Sequence, residues 1–321
     1  MPASRPLPQF DDVLDAAARI APHAQVTPLL RADALDAAAG ARLVFKVEGL
    51  QRGGAFKFRG ACNAVACLSD AEAARGVVTH SSGNHGSALA LAARLRAIPC
   101  HVVVPEGATP AKLALIAAQD AVLHRCGAGI AAREARCAQV QASTGATLVH
   151  PYADPRVIAG QGTATLELLA AAPGLDAVVV PVGGGGLAAG AAIVVDGYAP
   201  GTALVLAEPA GAADALHALR TGRRDDAFVP DTVCDGLRAA LGEPNFRILR
   251  RHGAQVLAVD DADTIAAMRL LLAQLRLLVE PSSAIALAAV LGDRARFAGK
   301  RVGIVLTGGN VDPSALPGAA P

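Results

Sequence analysis

Lys57 sits between Phe56 and Phe58 in the run GGAFKFRG at 53–60. Two phenylalanines can form a dry wall around the amine, and poor hydration disfavours the ammonium form. A lysine that sheds its proton near neutral pH serves as a Schiff-base nucleophile. Three more stretches carry matching chemistry. HSSGNHG at 80–86 supplies donors from Ser81, Ser82 and Asn84, with Gly83 and His85 among them. It follows an apolar run and opens a helical stretch, a setting that suits an anion such as an amino-acid carboxylate. Gly183, Gly184, Gly185 and Gly186 follow another apolar run and lead through Leu187 into a second helical stretch. Strand, glycine loop and helix together hold a phosphate by backbone amides. No Gly-Lys-Ser/Thr follows, so this is no P-loop, and the acidic partner of a dinucleotide fingerprint is missing. TGGN at 307–310 follows the last apolar run, where the Thr307 hydroxyl can face the same cleft; a plain turn is the equal reading. Glu208 and Asp214 flank a small flexible segment; they suit either a hard cation or a helix N-terminus.

These loops need scaffolding at their ends. Short apolar, β-branched runs occur at 43–47, 77–79, 101–104, 122–124, 147–149, 177–180, 203–206, 256–259 and 302–306. Stretches with helical spacing lie at 11–20, 88–97, 111–118, 130–142 and 264–278. Continuous apolar strands alternating with helices imply parallel crossovers and an α/β class. Nine strands overfill one comfortable sheet, so two sheets in two domains are expected. The Pro/Ala/Gly-rich tail at 313–321 is expected to be disordered.

Composition excludes several classes. A net charge of +1 leaves no electrostatic footprint for nucleic acid or an anionic membrane, and the absence of Trp removes a stacking platform. No apolar run reaches membrane-spanning length, and the proline-rich start at 1–10 has no apolar signal region. A cytoplasmic location is expected. The six cysteines form no CxxC or zinc spacing and read as reduced, small hydrophobes.

The ordered set AFKFRG, SSGNHG, AGQGT (159–163), GGGG, AEP (207–209), VCDGL (233–237), VEPSSA (279–284) and TGGN resembles the fold-type II pyridoxal-phosphate enzymes. Threonine/serine dehydratases and serine racemases are the most similar group. The resemblance implies a tryptophan synthase β-like fold with two open, mostly parallel twisted sheets flanked by helices. It implies a large cofactor-binding domain at 1–68 and 154–321, a small domain at 69–153, and a homodimer. It matches Lys57 to the covalent anchor of pyridoxal 5'-phosphate and Phe56 to the residue against the ring face. Asn84 matches the partner of the ring's 3-hydroxyl, Glu280 a glutamate near the ring and Thr307 the hydroxyl at the ring nitrogen. The glycine loop with the Leu187 amide matches the phosphate site. Ser81, Ser82, Gly83 and His85 match the loop for the substrate carboxylate, and Arg133 an arginine approaching the substrate pocket. Ser82 also matches the second acid–base group of racemases. Glu208, the Ala212 carbonyl and Asp214 match a divalent-cation site for Mg, Ca or Mn.

Departures bear on the substrate. Ala55 replaces a frequent hydroxyl residue, Ala239 and Ala240 stand where similar racemases carry serines, and Tyr152 is aromatic as in many dehydratases. The implied activity is dehydration and deamination of a β-hydroxy amino acid, threonine or serine first, or a bulkier one such as phenylserine. Serine racemase and 3-hydroxyaspartate ammonia-lyase are the alternatives; Arg133 suits the second carboxylate of the latter. The chain ends soon after the last strand, so an amino-acid-sensing C-terminal domain and isoleucine feedback are not expected.

Overall fold

The structure, a computed structural model, describes residues 6–225 and 227–311. The tail expected to be disordered lies outside the described residues. The nine expected strands all form, as β2 (Arg42–Val47), β3 (Val77–His80), β4 (Cys100–Pro105), β5 (Val122–Cys126), β6 (Thr147–Leu148), β7 (Ala177–Pro181), β8 (Ala203–Pro209), β9 (Gln255–Val259) and β10 (Arg301–Leu306). A two-residue strand, β1 (Leu29–Leu30), adds to them. Two residues after a proline carry no alternation, so this stretch reads only as an extended turn.

The strands make two sheets, ordered β1-β2-β10-β7-β8-β9 and β5-β4-β3-β6. Every pairing is parallel except β1 against β2. β3 and β7 are buried at every position, because helices cover both faces; hence the valines that open β3 and the valine run of β7. Two hydrophobic clusters flank the larger sheet, and a third fills the smaller sheet's helical layer. No described helix is long and apolar enough to cross a membrane. All six cysteines are free thiols.

The AGQGT run forms no loop. It lies inside the buried helix Pro155–Ala171 and lets that helix touch two others. A Cβ on Gly160 would stand 2.6 Å from Gly60 Cα, and one on Gly190 would stand 2.6 Å from the Gly162 nitrogen. Gly60 belongs to the helix Lys57–Ala66, and Gly190 to the helix Gly186–Tyr198. The seam helix thereby fixes Lys57 and the glycine loop relative to each other. A buried charge cluster adds to this. Arg59 donates to Glu48 at 2.7 Å and to Glu167 at 2.6 Å, while Lys46 donates to the Thr27 carbonyl at 2.7 Å. Burial opposes ionisation of Glu167, but Arg59 and Lys46 together hold its carboxyl below the usual range.

Candidate active site

A cavity of about 1060 Å³ opens at the carboxyl ends of β3, β7 and β10, where parallel sheets place ligands. Lys57 enters it from the first turn of its helix. Its Nζ donates to the Pro151 carbonyl at 3.2 Å and lies 5.0 Å from the Phe56 ring centroid. Burial lowers its pKa to about 8, and the Glu280 charge opposes that shift in part. Only one of the flanking phenylalanines contributes to this setting. Phe58 is fully buried in the core with Ile20 and Leu89, because successive positions of a helix point to different sides.

Opposite stands the glycine loop, with Gly183, Gly184, Gly185, Gly186 and Leu187 all in the cavity wall. Gly185 holds a left-handed φ of +88° and caps the helix that begins at Gly186. Added Cβ atoms at Gly183, Gly184 and Gly185 would strike Leu237 at 2.8 Å, Tyr152 at 2.4 Å and Leu241 at 2.5 Å. The bare backbone therefore packs on the Leu237 backbone and on the Tyr152 and Leu241 side chains, and it borders the cavity. Thr307 borders the same space. Its hydroxyl donates to the Ser282 carbonyl at 3.4 Å, and its carbonyl accepts the Phe56 amide at 2.9 Å.

Asn84 starts its helix four residues before the helical stretch expected at 88–97, in Asn84–Leu95. Its amide donates to Glu280 at 2.8 and 3.0 Å. Asn310 completes this group. Its side chain donates to Asn84 at 3.0 Å and to the Gly53 carbonyl at 2.8 Å, and its backbone amide donates to Glu280 at 3.0 Å. Burial raises the Glu280 pKa to about 7. Four sequence motifs meet here, 53–60, 80–86, 279–284 and 307–310, yet only Asn310's place in TGGN hinted at its part.

Ser81, Ser82, Gly83, Arg133, Tyr152 and Ala239 also border the cavity. His85 borders it too: its ring is buried, with Nε2 3.3 Å from the Val149 carbonyl and Nδ1 without a hydrogen-bond partner among the described residues. Burial and the Lys57 amine keep that ring neutral. Tyr152 packs edge-on against His150, and His150 edge-on against His80. Burial, with His80 nearby, lowers the His150 pKa to about 4. Neither histidine stands out by sequence spacing. At the mouth, Lys112 pairs with Asp235 across the opening.

Arg133 lies on the helix Ile130–Thr144. Its Nε is buried with no hydrogen-bond partner among the described residues. Glu208, Ala212 and Asp214 stand away from the cavity. Glu208 accepts the Ala215 and Leu216 amides at 2.7 and 2.8 Å, the place of a helix N-terminal acid. Burial raises its pKa to about 8, with Asp214 adding to the shift. Asp214 accepts the Leu241 amide at 2.7 Å. No group of three His, Cys, Asp or Glu arranged for a metal occurs among the described residues.

The chain is 47% identical over 313 residues to a beta-hydroxyaspartate dehydratase of Paracoccus denitrificans, covering 97% of this chain and 99% of that protein. It is 40% identical over 307 residues to an L-threo-3-hydroxyaspartate ammonia-lyase of Saccharomyces cerevisiae, covering 95% and 94%. The solved structure of maize serine racemase superposes with a TM-score of 0.94 at 40% identity, covering 97% of this chain and 96% of that one. The model of the family "Pyridoxal-phosphate dependent enzyme" matches residues 20–308. With Lys57, a glycine loop and a helix N-terminus around one cavity, the chain belongs to the pyridoxal-phosphate dependent enzymes.

Proposed function

We propose that this protein is a pyridoxal-phosphate dependent ammonia-lyase whose preferred substrate is 3-hydroxyaspartate, with serine and threonine as poorer substrates. The observation that carries the choice is Arg133: a guanidinium in the cavity wall, with its buried Nε unmatched. A planar guanidinium suits a carboxylate, and an unmatched buried donor gains most from one. Two relatives whose names contain hydroxyaspartate support the same choice.

The cavity fits the cofactor. The glycine loop offers backbone amides that no side chain can mask, at the positive end of a helix, for a phosphate. Lys57 provides an amine of lowered basicity for an aldehyde. Pyridoxal 5'-phosphate held by Lys57 and the glycine loop would supply an aldehyde for the substrate amine and an electron sink for Cα. The protein's residues do the rest. Ser81, Ser82 and Gly83 hold the α-carboxylate, and Arg133 holds the second one. Lys57, with its amine neutral, removes the Cα proton. The Cβ–oxygen bond then breaks, and the hydroxyl leaves as water with the proton that Lys57 took from Cα. Water re-enters in the hydrolysis, so the net products are oxaloacetate and ammonia. Asn84 is held by Glu280 and Asn310 as the donor to the ring's 3-oxygen. Thr307 is the hydroxyl partner assigned to the ring nitrogen, and Phe56 the residue assigned to the ring face. Tyr152 and Ala239 shape the side-chain pocket. Ser82 is also the candidate for a second proton-transfer group, and Ser82→Ala would abolish any racemisation more completely than elimination.

Glu208, the Ala212 carbonyl and Asp214 are proposed to hold a divalent cation, since two buried acids close together favour one. The division into 1–68 with 154–321 and 69–153, and a homodimer, belong to the same reading.

Release of 2-oxo acid from 3-hydroxyaspartate, serine and threonine tests the substrate. The wild-type protein prefers the diacid, and Arg133→Met lowers kcat/KM for it by about 100-fold, the size of one charge-assisted contact. Serine turnover changes only a few-fold. Equal losses on all three substrates would remove Arg133 from substrate choice.

A further inference from the structure

A glycine run can turn either N–H or C=O groups toward a ligand, because glycine tolerates both signs of φ. A carbonyl oxygen facing a phosphate repels it. In this loop the Gly184 carbonyl points the other way. It accepts the Gly242 amide at 3.1 Å and the Asn245 side-chain Nδ2 at 2.5 Å. The same Nδ2 donates to the Tyr152 carbonyl at 3.0 Å. One amide group thus ties back two carbonyls that flank the phosphate side of the cavity.

The orientation of that amide follows from chemistry. With its oxygen and nitrogen exchanged, three oxygens would face one another. Asn245 is completely buried, on the first turn of the helix Glu243–His252, and it is not part of the cavity wall. Its Oδ1 has no hydrogen-bond partner among the described residues. A residue kept only for packing would be apolar and would leave no such orphan. Asn245 Cβ also stands 2.9 Å from where a Gly185 side chain would begin, behind the left-handed turn that opens the next helix.

We propose that Asn245 is the positioning residue of the glycine loop: it holds the Gly184 and Tyr152 carbonyls back so that the loop offers only N–H donors to the cofactor's phosphate. It acts through the loop and touches no ligand itself. Because Tyr152 also lines the substrate pocket, the same amide ties the phosphate cradle to that wall. The proposal rests on the family's cofactor and not on the choice of 3-hydroxyaspartate. A protein that binds the cofactor yet prefers another amino acid leaves it standing.

The test compares two forms of the cofactor. Cofactor-free wild type, Asn245→Leu, Asn245→Ser and Asn245→Asp are titrated with pyridoxal 5'-phosphate and with pyridoxal, which lacks the phosphate. Visible absorbance reports binding, and far-UV circular dichroism checks the fold. Asn245→Leu weakens the phosphate form by about 10- to 100-fold, the usual range for a supporting residue, and pyridoxal by less than about 3-fold. Asn245→Ser keeps one donor and falls between wild type and Leu. Asn245→Asp keeps the size, sets oxygens against the carbonyls and behaves as Leu does. Inorganic phosphate raises the Tm of the cofactor-free wild type but not that of Leu or Asp. Equal weakening of both cofactor forms, or unchanged affinity in every variant, overturns the proposal. Should Leu not fold, the comparison of Ser with Asp decides it alone.

Discussion

An ammonium group kept from bulk water loses hydration that one hydrogen bond to a carbonyl replaces only in part. Lys57 is in that position, with its bond to Pro151 and a pKa near 8. The neighbouring histidines add no repulsion to this, because burial keeps His85 and His150 neutral. Glu280 is the one named charge that acts in the other direction and holds the Lys57 value up. Glu280→Gln therefore lowers the pKa of the free amine further. The acid-side limb of the kcat profile, which reports the neutral base released once substrate is bound, moves to lower pH by up to about one unit. A shift to higher pH would show that Glu280 acts chiefly through Asn84. Lys57→Ala removes the visible absorbance of bound cofactor altogether.

Elements position these residues through close approaches that the sequence shows only as glycines. Alanine is ordinarily better than glycine inside a helix by about 1 kcal/mol. Gly160→Ala reverses that sign. Its Cβ would sit 2.6 Å from Gly60 Cα and 2.7 Å from the Arg59 carbonyl, both backbone atoms that cannot swing aside. Overpacking of this kind costs ~1–3 kcal/mol. The helix carrying Lys57 must shift with it, so kcat falls more than stability alone accounts for. Urea unfolding of the variant beside its kcat checks this, and a stability equal to or above wild type would refute the seam. The seam also shows where sequence reading stops. Strands buried on both faces announce themselves as valine runs, and loops such as SSGNHG and GGGG stand out because polar or glycine-rich stretches at strand ends have few structural uses. AGQGT was visible as a motif, but nothing in it says that its glycines meet Gly60 and Gly190. Asn245 gave no signal, since one asparagine at a helix start reads as capping, and its bonds to Gly184 and Tyr152 exist only once distant segments come together. Phe58 misled for the opposite reason: adjacency in sequence is not adjacency in space.

Across the whole molecule, buried ionisable groups make stability depend on pH, and their signs can be worked out separately. Glu208 and Glu280 have folded pKa values raised to about 8 and about 7. Each contributes stability that is complete below its unfolded pKa of about 4.5 and is lost as pH rises through the folded value. His85 and His150 are lowered, so their contribution grows with pH and is complete by about 6.5. Lys57, lowered to about 8, adds stability only between about 8 and its unfolded pKa of about 10.5. The window from about pH 6.5 to 8 is thus left to the two glutamates, and Glu208 spans all of it. The cofactor-free, cation-free protein should lose ~1.4 kcal/mol per pH unit there for each glutamate titrating. A divalent cation between Glu208 and Asp214 would hold Glu208 ionised and abolish its share of the slope. Chemical denaturation at pH 6.5 and 8, with and without Mg²⁺, Ca²⁺ or Mn²⁺, measures both effects. Wild type without cation should weaken toward pH 8 and recover when cation is added. Glu208→Gln should show the shallower slope in either condition and no response to cation. If cation leaves the wild-type slope unchanged while Glu208→Gln still flattens it, Glu208 serves as the N-terminal acid of its helix, and the cation assignment falls.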